Sequence, residues 1–139
     1  MLKWTAEAIW QSVVSDWPGF SIEILPEIDS SNTELMRRAR QGCCDPILLI
    51  AEQQTAGKGR LGRAWMGQRG HALTFSLGLP YQPQNWSGLS LAVGLSLAES
   101  LHPEVGLKWP NDLWFQDRKL GGILVEAASM GGRSQVVVG

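Results

Sequence analysis

Apolar residues recur along this chain with two periods, one typical of helices and one typical of strands. Helical spacing predicts three helices, over residues 4–16, 31–42 and 87–101. Alternation or short apolar runs predict seven strands, over residues 21–25, 46–51, 71–79, 105–109, 113–115, 122–126 and 135–138. The order α-β-α-β-β-α-β-β-β-β, with hairpins near its end, predicts an α+β domain with a mixed sheet.

Local signals make this prediction more specific. Ser31, followed by Glu34, matches a capping box for the second helix, and Gly42 is a natural stop for it. Ser87 is the predicted cap of the third helix, which is apolar nearly all round and is therefore expected to be buried. Large and small side chains alternate over 71–79, which predicts a strand with one packed face.

Composition bounds the class of protein. A chain of 139 residues with 44% hydrophobic and 18% charged residues is expected to form one soluble domain. The net charge of -1 argues against a general nucleic-acid binder. No apolar run reaches the roughly 20 residues that a membrane helix needs, and no signal peptide is recognisable. Cys43 and Cys44 are adjacent, so they cannot form a disulfide that links distant parts of the chain, and no second pair is present for a zinc site. A cytoplasmic location is therefore expected.

Residues 57–65 are the chain's most unusual stretch and read GKGRLGRAW, with three glycines, three cations and no acid. Glycine lets other groups approach the backbone closely, and the cations favour an anion nearby. A Walker loop is disfavoured because no Ser or Thr follows Lys58, and a dinucleotide loop because residues 64–70 form a poor helix. Kinase motifs are absent elsewhere. We rank anion binding above a simple solvated turn.

Three further stretches carry polar groups at element ends. Residues 29–32 read DSSN at a helix start, where a simple cap and a ligand role are both compatible. Residues 108–112 read KWPND, which suits a metal–phosphate assembly, a substrate amine or an ordinary turn. Residues 117–126 read DRKLGGILVE, so Lys119 could face a carboxylate or an α-phosphate, or lie in water at a hairpin.

Taken in order, DSSN, GKGRLGRAW, KWPND and KLGGILVE resemble the catalytic domain of biotin–protein ligase, also called biotin–[acetyl-CoA carboxylase] ligase. The likeness runs from about Ile24 to the last residue. It implies a mixed sheet flanked by helices, as in class II aminoacyl-tRNA synthetases and lipoate ligases. It also implies that biotin and ATP, with Mg²⁺, form biotinyl-5′-AMP, from which biotin passes to a lysine of the biotin carboxyl carrier protein of acetyl-CoA carboxylase.

The resemblance also assigns site residues. Biotin binding is implied for Ser30, Ser31, Asn32, Gln54, Lys58, Gly59, Arg60 and Lys119. ATP or adenylate binding is implied for Arg60, Arg63, Trp65, Asn111 and Asp112. Catalytic roles are implied for Lys119, Arg60 and Asp112, and no residue is assigned as a resident metal ligand. Whether Asp112 serves Mg²⁺ or the acceptor lysine stays open at this point, and residues 57–65 are expected to form a lid that is disordered without ligand.

The same resemblance sets expectations for the extent of the domain. Residues 1–139 are expected to form the N-terminal part of the catalytic domain, without a DNA-binding region, the rest of that domain or a C-terminal β domain. A repressor role is therefore not expected, and activity of this chain by itself is left open. Lipoate–protein ligase is an alternative, disfavoured by the KWPND run, and a non-catalytic biotin- or nucleotide-binding module is another. A homodimer is also left open.

Overall fold

The computed structural model describes residues 2–139, apart from the side chain of Ser87. The chain divides into two compact units, a larger one that extends to Gln82 and resumes over Glu126–Gly139, and a smaller one over Pro83–Val125. In chain order the elements are α1 (Ala6–Val13), β1 (Ser21–Leu25), α2 (Ser31–Arg40), β2 (Ile47–Ala51), a 3₁₀ turn (Arg60–Gly62), β3 (Thr74–Leu79), α3 (Trp86–Leu101), β4 (Gly106–Lys108), β5 (Asp112–Phe115), β6 (Arg118–Gly122), β7 (Val125–Met130) and β8 (Arg133–Val138).

The larger unit is built on a five-stranded mixed sheet in the order β1-β2-β3-β8-β7. β1 and β2 are parallel, whereas β2 pairs with β3, and β3 with β8, in antiparallel fashion. Helix α2 packs on this sheet, and Leu35, Met36 and Ala39 on its buried face meet Leu49 and Val137 in the core. The predicted α+β class with a mixed sheet and flanking helices is therefore confirmed.

The smaller unit is a three-stranded antiparallel sheet, β4-β5-β6, with α3 packed on β4 and β5. The helix lies close to the sheet at Gly94, where a Cβ atom would be 3.0 Å from a methyl group of Leu107. On β4 the Lys108 ammonium lies 4.5 Å from the centre of the Trp114 ring, a cation–π distance. Within this unit the turn that follows β4 carries Asn111 and leads directly into Asp112.

Both predicted helix caps were placed at the wrong residue. The cap of α2 is Ser30, whose Oγ accepts a hydrogen bond from the Thr33 amide at 3.3 Å. Ser31 is the first helical residue, and its hydroxyl is used by side chains outside the helix, as described below. The cap of α3 is Asn85, which accepts from the Gly88 amide at 2.8 Å. The predicted cap, Ser87, has its side chain outside the described residues.

The prediction that α3 is buried all round was wrong. Leu91, Leu95 and Leu101 are 37%, 52% and 53% exposed, whereas Gly94 and Ala98 face the sheet and are buried. A three-stranded sheet covers one face of a helix of 16 residues, so the opposite leucines stay at the surface of this unit. Uniform apolar composition hid this one-sided packing, because it carries no periodic signal.

Strand boundaries near the end of the chain also differ from the prediction. Residues 122–126 were predicted as one strand, but the strand there is β6, which ends at Gly122 and is the hairpin partner of β5. Gln116 and Asp117 alone make the turn, both with positive φ, as a type I′ turn requires. The chain then enters β7, which belongs to the five-stranded sheet. The described residues therefore hold eight strands instead of seven.

Some elements are shorter than predicted. Helix α1 covers Ala6–Val13 instead of 4–16. β3 starts at Thr74 instead of residue 71, since residues 68–71 form a turn in which the His71 amide donates to the Gln68 carbonyl. The small side chains of β3, Ser76 and Gly78, form its buried face.

The core prediction concerns Leu49, which is fully buried in β2. We expect Leu49→Ala to lower the free energy of unfolding by about 2–5 kcal/mol, since it removes packed methyl groups and leaves a cavity. Leu73→Ala is the matched control because Leu73 is 61% exposed, and it should cost less than about 0.5 kcal/mol. Urea unfolding measures both, and equal losses would contradict this packing.

A second prediction concerns the ion pairs that Glu34 forms within α2. The Arg38 guanidinium, which donates to Glu34 at 2.8 Å, lowers the pKa of the Glu34 carboxyl, and Arg37 adds to this effect against the opposing effect of burial. A lowered pKa stabilises the fold above the unfolded pKa of about 4.3, and that stability is lost as the pH falls through the folded value. We therefore expect Glu34→Gln to cost about 0.5–1 kcal/mol at pH 7 and less at pH 3, measured by urea unfolding. An equal cost at both pH values would contradict it.

Candidate functional site

Three polar residues at the start of α2 are buried together. Ser30, Ser31 and Asn32 are only 2%, 3% and 4% exposed. A helix start carries a partial positive charge, which favours polar and anionic groups nearby, and here the Ser31 and Thr33 amides are bonded to Gln54 and Ser30. All three were predicted as site residues from the sequence. The structure places them together at the N-terminal end of α2.

Gln54 lies across from Ser31 and receives two hydrogen bonds from it. Its Oε1 accepts from the Ser31 amide at 2.8 Å and from the Ser31 hydroxyl at 3.1 Å. Gln54 follows β2 and forms an isolated parallel bridge with Ile28, which places it beside the α2 start. Because the oxygen is engaged by Ser31, the amide nitrogen is directed elsewhere, and the orientation of the Gln54 side chain is set.

Ser76, on β3, was not predicted as a site residue. Its side chain is fully buried, and its Oγ lies 2.7 Å from the Ser31 hydroxyl and 2.5 Å from Asn32 Oδ1. Its single proton can be donated to only one of these oxygens at a time. The signal available in the sequence was its place among the small residues of an alternating strand, which reads as packing and not as chemistry.

Glu126, on β7, is a second residue that the prediction missed. Its Oε1 accepts a hydrogen bond from Asn32 Nδ2 at 3.2 Å, and its Oε2 lies 3.8 Å from Lys58 Nζ. The carboxylate thus connects a buried residue of α2 with a cation of the glycine-rich stretch. An acid directly after the apolar run ILV was the available signal, although an exposed strand residue would look the same.

The stretch 57–65 forms a small hydrogen-bonded hairpin. Lys58 and Ala64 form an antiparallel bridge, and the Trp65 amide donates to the Gly57 carbonyl at 2.9 Å. A 3₁₀ turn over Arg60–Gly62 caps the hairpin at its exposed end. Arg60 and Arg63, at this tip, are both exposed residues. Opening and closing of the hairpin as a lid stays a prediction.

Gly57 is the glycine that this hairpin needs most. A Cβ atom there would lie 2.4 Å from the Trp65 carbonyl oxygen and 2.7 Å from Gln54 Nε2, distances that real Cβ atoms do not show. The missing side chain therefore lets the hairpin pack directly beside Gln54. Gly59 is different, because its nearest neighbour would be 3.6 Å away.

The predicted residues of the smaller unit form their own group. Lys119 Nζ lies 3.1 Å from Asp112 Oδ1 across β6 and β5. Asn111 Nδ2 donates to the Ile123 carbonyl at 2.8 Å, and the Ile123 amide donates back to the Asn111 carbonyl at 2.9 Å. These reciprocal bonds hold the 108–112 turn onto the segment that directly follows β6, and Lys119 and Asp112 lie side by side on β6 and β5.

The chemistry of each group follows from these contacts. The larger unit offers buried neutral donors and acceptors beside a cationic hairpin, which suits a neutral polar ligand next to an anion. The smaller unit offers an ammonium–carboxylate pair in which both side chains are partly exposed. Residues 2–139 contain no group of three His, Cys, Asp or Glu side chains arranged to hold a metal ion. None of the described helices has the length and hydropathy to cross a membrane.

These features define an α+β domain in which a buried neutral polar cluster lies beside a cationic hairpin. Comparison with known families makes the assignment specific. Residues 25–139 match the biotin/lipoate A/B protein ligase family, and the chain belongs to that family.

Individual relatives agree with this assignment. The chain is 40% identical over 136 residues to the bifunctional ligase/repressor BirA of Escherichia coli K12, covering 93% of this chain and 42% of that protein. It is 40% identical over 118 residues to the biotin–[acetyl-CoA-carboxylase] ligase of Mycobacterium tuberculosis, covering 77% of this chain and 44% of that protein. The chain thus spans less than half the length of these curated relatives.

Solved structures show the same fold. The biotin acetyl coenzyme A carboxylase synthetase of Helicobacter pylori, with bound biotinylated ATP, superposes with a TM-score of 0.70 at 30% identity, over 84% of this chain and 58% of that one. The biotin protein ligase of Aquifex aeolicus, in complex with biotin and ATP, gives a TM-score of 0.67 at 36% identity, over 84% of this chain and 50% of that one. The predicted fold of the biotin–lipoate ligase kind is confirmed.

A prediction follows for Gly57. We expect Gly57→Ala to separate the hairpin from Gln54, because the added methyl group would overlap the Trp65 carbonyl. Hydrogen exchange of the Trp65 amide should then be faster by about tenfold or more, since its bond to Gly57 is loosened. Gly59→Ala, in the same hairpin, should change that exchange by less than about twofold. Equal exchange in both variants would show that Gly57 is not sterically required.

Proposed function

We propose that this chain carries the biotin-binding part of a biotin–protein ligase. In this proposal ATP and biotin form biotinyl-5′-AMP, and the biotinyl group then passes to one lysine of the biotin carboxyl carrier protein of acetyl-CoA carboxylase. Membership of the family supports this, as do relatives named for this reaction and related structures that hold biotin with ATP or biotinylated ATP. Residues 1–139 would then supply the N-terminal part of the catalytic domain.

The observation that carries the proposal is the buried neutral cluster at the start of α2. Ser31 is hydrogen-bonded to Gln54 and Ser76, and Asn32 to Ser76, with no net charge on any of the four. The partly exposed Glu126 carboxylate, which accepts from Asn32, lies at the edge of this cluster. A ureido group both donates and accepts hydrogen bonds and carries no charge, so it matches such a set. A buried charged residue at this position would instead favour an ionic head group.

The cationic residues supply the other half of the chemistry. A biotin carboxylate oxygen attacks the α-phosphorus of ATP, the bond to the β-phosphate oxygen breaks, and pyrophosphate leaves. In the proposal Lys58, Gly59 and Arg60 lie over biotin, and Arg60, Arg63 and Trp65 line the adenylate. Lys119 meets the biotin carboxylate and then the α-phosphate, and its ammonium stabilises the negative charge that develops there. In the second step the acceptor amine attacks the acyl carbon and AMP leaves.

Mg²⁺ would be held mainly by the phosphates of ATP, because this ion commonly binds through one or two protein carboxylates plus substrate phosphates. Asp112 fits that mode, since Lys119 contacts its Oδ1 and a carboxylate has a second oxygen. When bound, the ion would neutralise part of the negative charge of the phosphates. Asn111 and Asp112 would flank this assembly. Separate measurements of adenylate formation and of biotin transfer would distinguish a role of Asp112 toward Mg²⁺ from a role toward the acceptor lysine.

The setting of this reaction is also part of the proposal. A cytoplasmic location agrees with the ATP requirement and with Cys43 and Cys44, which form no disulfide. A homodimer and the lack of nucleic-acid binding stay predictions from the sequence. Light scattering and a DNA-binding assay on the full-length protein test them directly.

Lys119→Ala gives the main test of the proposal. The full-length protein is incubated with ATP, Mg²⁺, biotin and a biotin carrier domain, and labelled carrier is measured with streptavidin. We expect Lys119→Ala to reduce the labelling rate by about 100-fold or more, because the variant loses a cation at the developing charge. Lys3→Ala is the matched control, since Lys3 is exposed and far along the chain from every predicted site residue.

Several results would contradict the proposal. Transfer of lipoate and not of biotin by the wild-type protein would establish the lipoate–protein ligase alternative. Binding of biotin or nucleotide without any transfer would establish a non-catalytic module. A labelling rate in Lys119→Ala within twofold of the wild type would remove the proposed role of that residue.

A further inference from the structure

The carboxylate of Glu126 occupies a connecting position within the larger unit. One of its oxygens accepts from the Asn32 amide group, and the other faces the Lys58 ammonium. Asn32 is buried on α2, whereas Lys58 lies in the exposed hairpin, and the Glu126 side chain itself is 25% exposed. Glu126 thus stands at the boundary between the buried polar cluster and the cationic hairpin.

The contact with Asn32 has a definite polarity. A carboxylate can only accept, so it selects the Nδ2 end of the Asn32 amide. The Oδ1 end is then directed to the Ser76 hydroxyl, which lies 2.5 Å away. A reversed amide would place its oxygen against the carboxylate, with two acceptors facing each other. Glu126 therefore determines which end of Asn32 faces which neighbour.

The contact with Lys58 is of another kind. The distance of 3.8 Å is near the limit for an ion pair, and the Lys58 side chain is 42% exposed. Such pairs are weak and are easily exchanged for contacts with water or with a bound anion. The ion pair therefore adds to the packing of Gly57 beside Gln54, and it can be released without breaking the fold.

From these contacts we propose that Glu126 is a positioning residue that orients Asn32 and docks the hairpin through Lys58. The inference rests on the proposed function for its link to biotin, and it deepens that function by naming the residue that couples the hairpin to the biotin-binding side chains. Glu126 acts through Asn32 and Lys58 and has no assigned contact with the reacting atoms.

The first test uses the kinetics of the full-length protein. Glu126→Gln keeps the length of the side chain but removes the charge and allows either amide orientation. We expect the KM for biotin to rise about fivefold, the effect of replacing a charged hydrogen bond with a neutral one, with the KM for ATP changed less than about twofold. Glu99→Gln is the control, because Glu99 is an exposed glutamate on α3, and it should match the wild type.

A double-mutant cycle tests the link to Lys58. Because Lys58 is itself proposed to lie over biotin, the cycle is read on proteolytic cleavage of the hairpin in the unliganded protein. Adding Lys58→Met to Glu126→Gln should raise the cleavage rate no further than the larger single effect. Single effects that multiply in the double variant would overturn the docking role, and a Glu126→Gln protein with the biotin KM of the Glu99→Gln control would overturn the orienting role.

The second test needs no ligase activity. An arginine-specific protease cleaves after Arg60 and Arg63, at the exposed tip of the hairpin, and its rate reports how firmly the hairpin is docked. We expect cleavage of the unliganded protein to be about threefold faster in Glu126→Gln and in Lys58→Met, with melting temperatures close to the wild type. Rates equal to that of Glu99→Gln would overturn the docking role. If the wild-type protein lacks biotinylation activity but the variants show this cleavage pattern, the proposed function is wrong and the docking role of Glu126 is still supported.

Discussion

Hydrogen-bond satisfaction of a few buried neutral side chains is the constraint on which the larger unit depends. Ser31 and Asn32 cannot be buried unless other groups complete their hydrogen bonds. The partners come from three separate places in the chain, namely Gln54 after β2, Ser76 on β3 and Glu126 on β7. The arrangement of the strands is therefore what allows a polar cluster to exist at the start of α2.

The sheet order explains how these partners meet. β2 and β3 are neighbours in the centre of the sheet, and β8 connects β3 to β7 at one edge. Helix α2 lies on this sheet with Leu35 and Leu49 in the shared core, so its first turn is held near the partner residues. The glycine-rich hairpin then packs beside Gln54 because Gly57 has no side chain. A hydrophobic core thus positions the polar cluster.

Much of this arrangement could be predicted from the sequence, for reasons that particular residues make clear. The apolar run over 47–51 and the alternation before Leu79 are strong signals of strands. Four polar motifs in a characteristic order pointed to the family and to Ser30, Ser31, Asn32 and Gln54. Ser76 and Glu126 were missed because a serine on the small face of a strand and an acid after three apolar residues have no local signature. Only their long-range contacts reveal them.

The errors share one cause, since they concern choices that tertiary contacts decide. Ser31 looked like the cap of α2, but Gln54 and Ser76 use its hydroxyl and the cap falls to Ser30. Residues 122–126 looked like one strand, but the chain leaves one sheet at Gly122 and joins another at Val125. Local propensity is the same for both alternatives in each case.

The central claim is that the neutral cluster at the start of α2 binds the ureido group of biotin. A crystal structure of the full-length protein with biotin tests it most directly. The account predicts the ureido oxygen and nitrogens within hydrogen-bond distance of Ser31, Asn32 or Gln54, with the carboxylate directed toward the cationic residues. Biotin bound elsewhere, with these side chains unchanged and remote from it, would contradict the account.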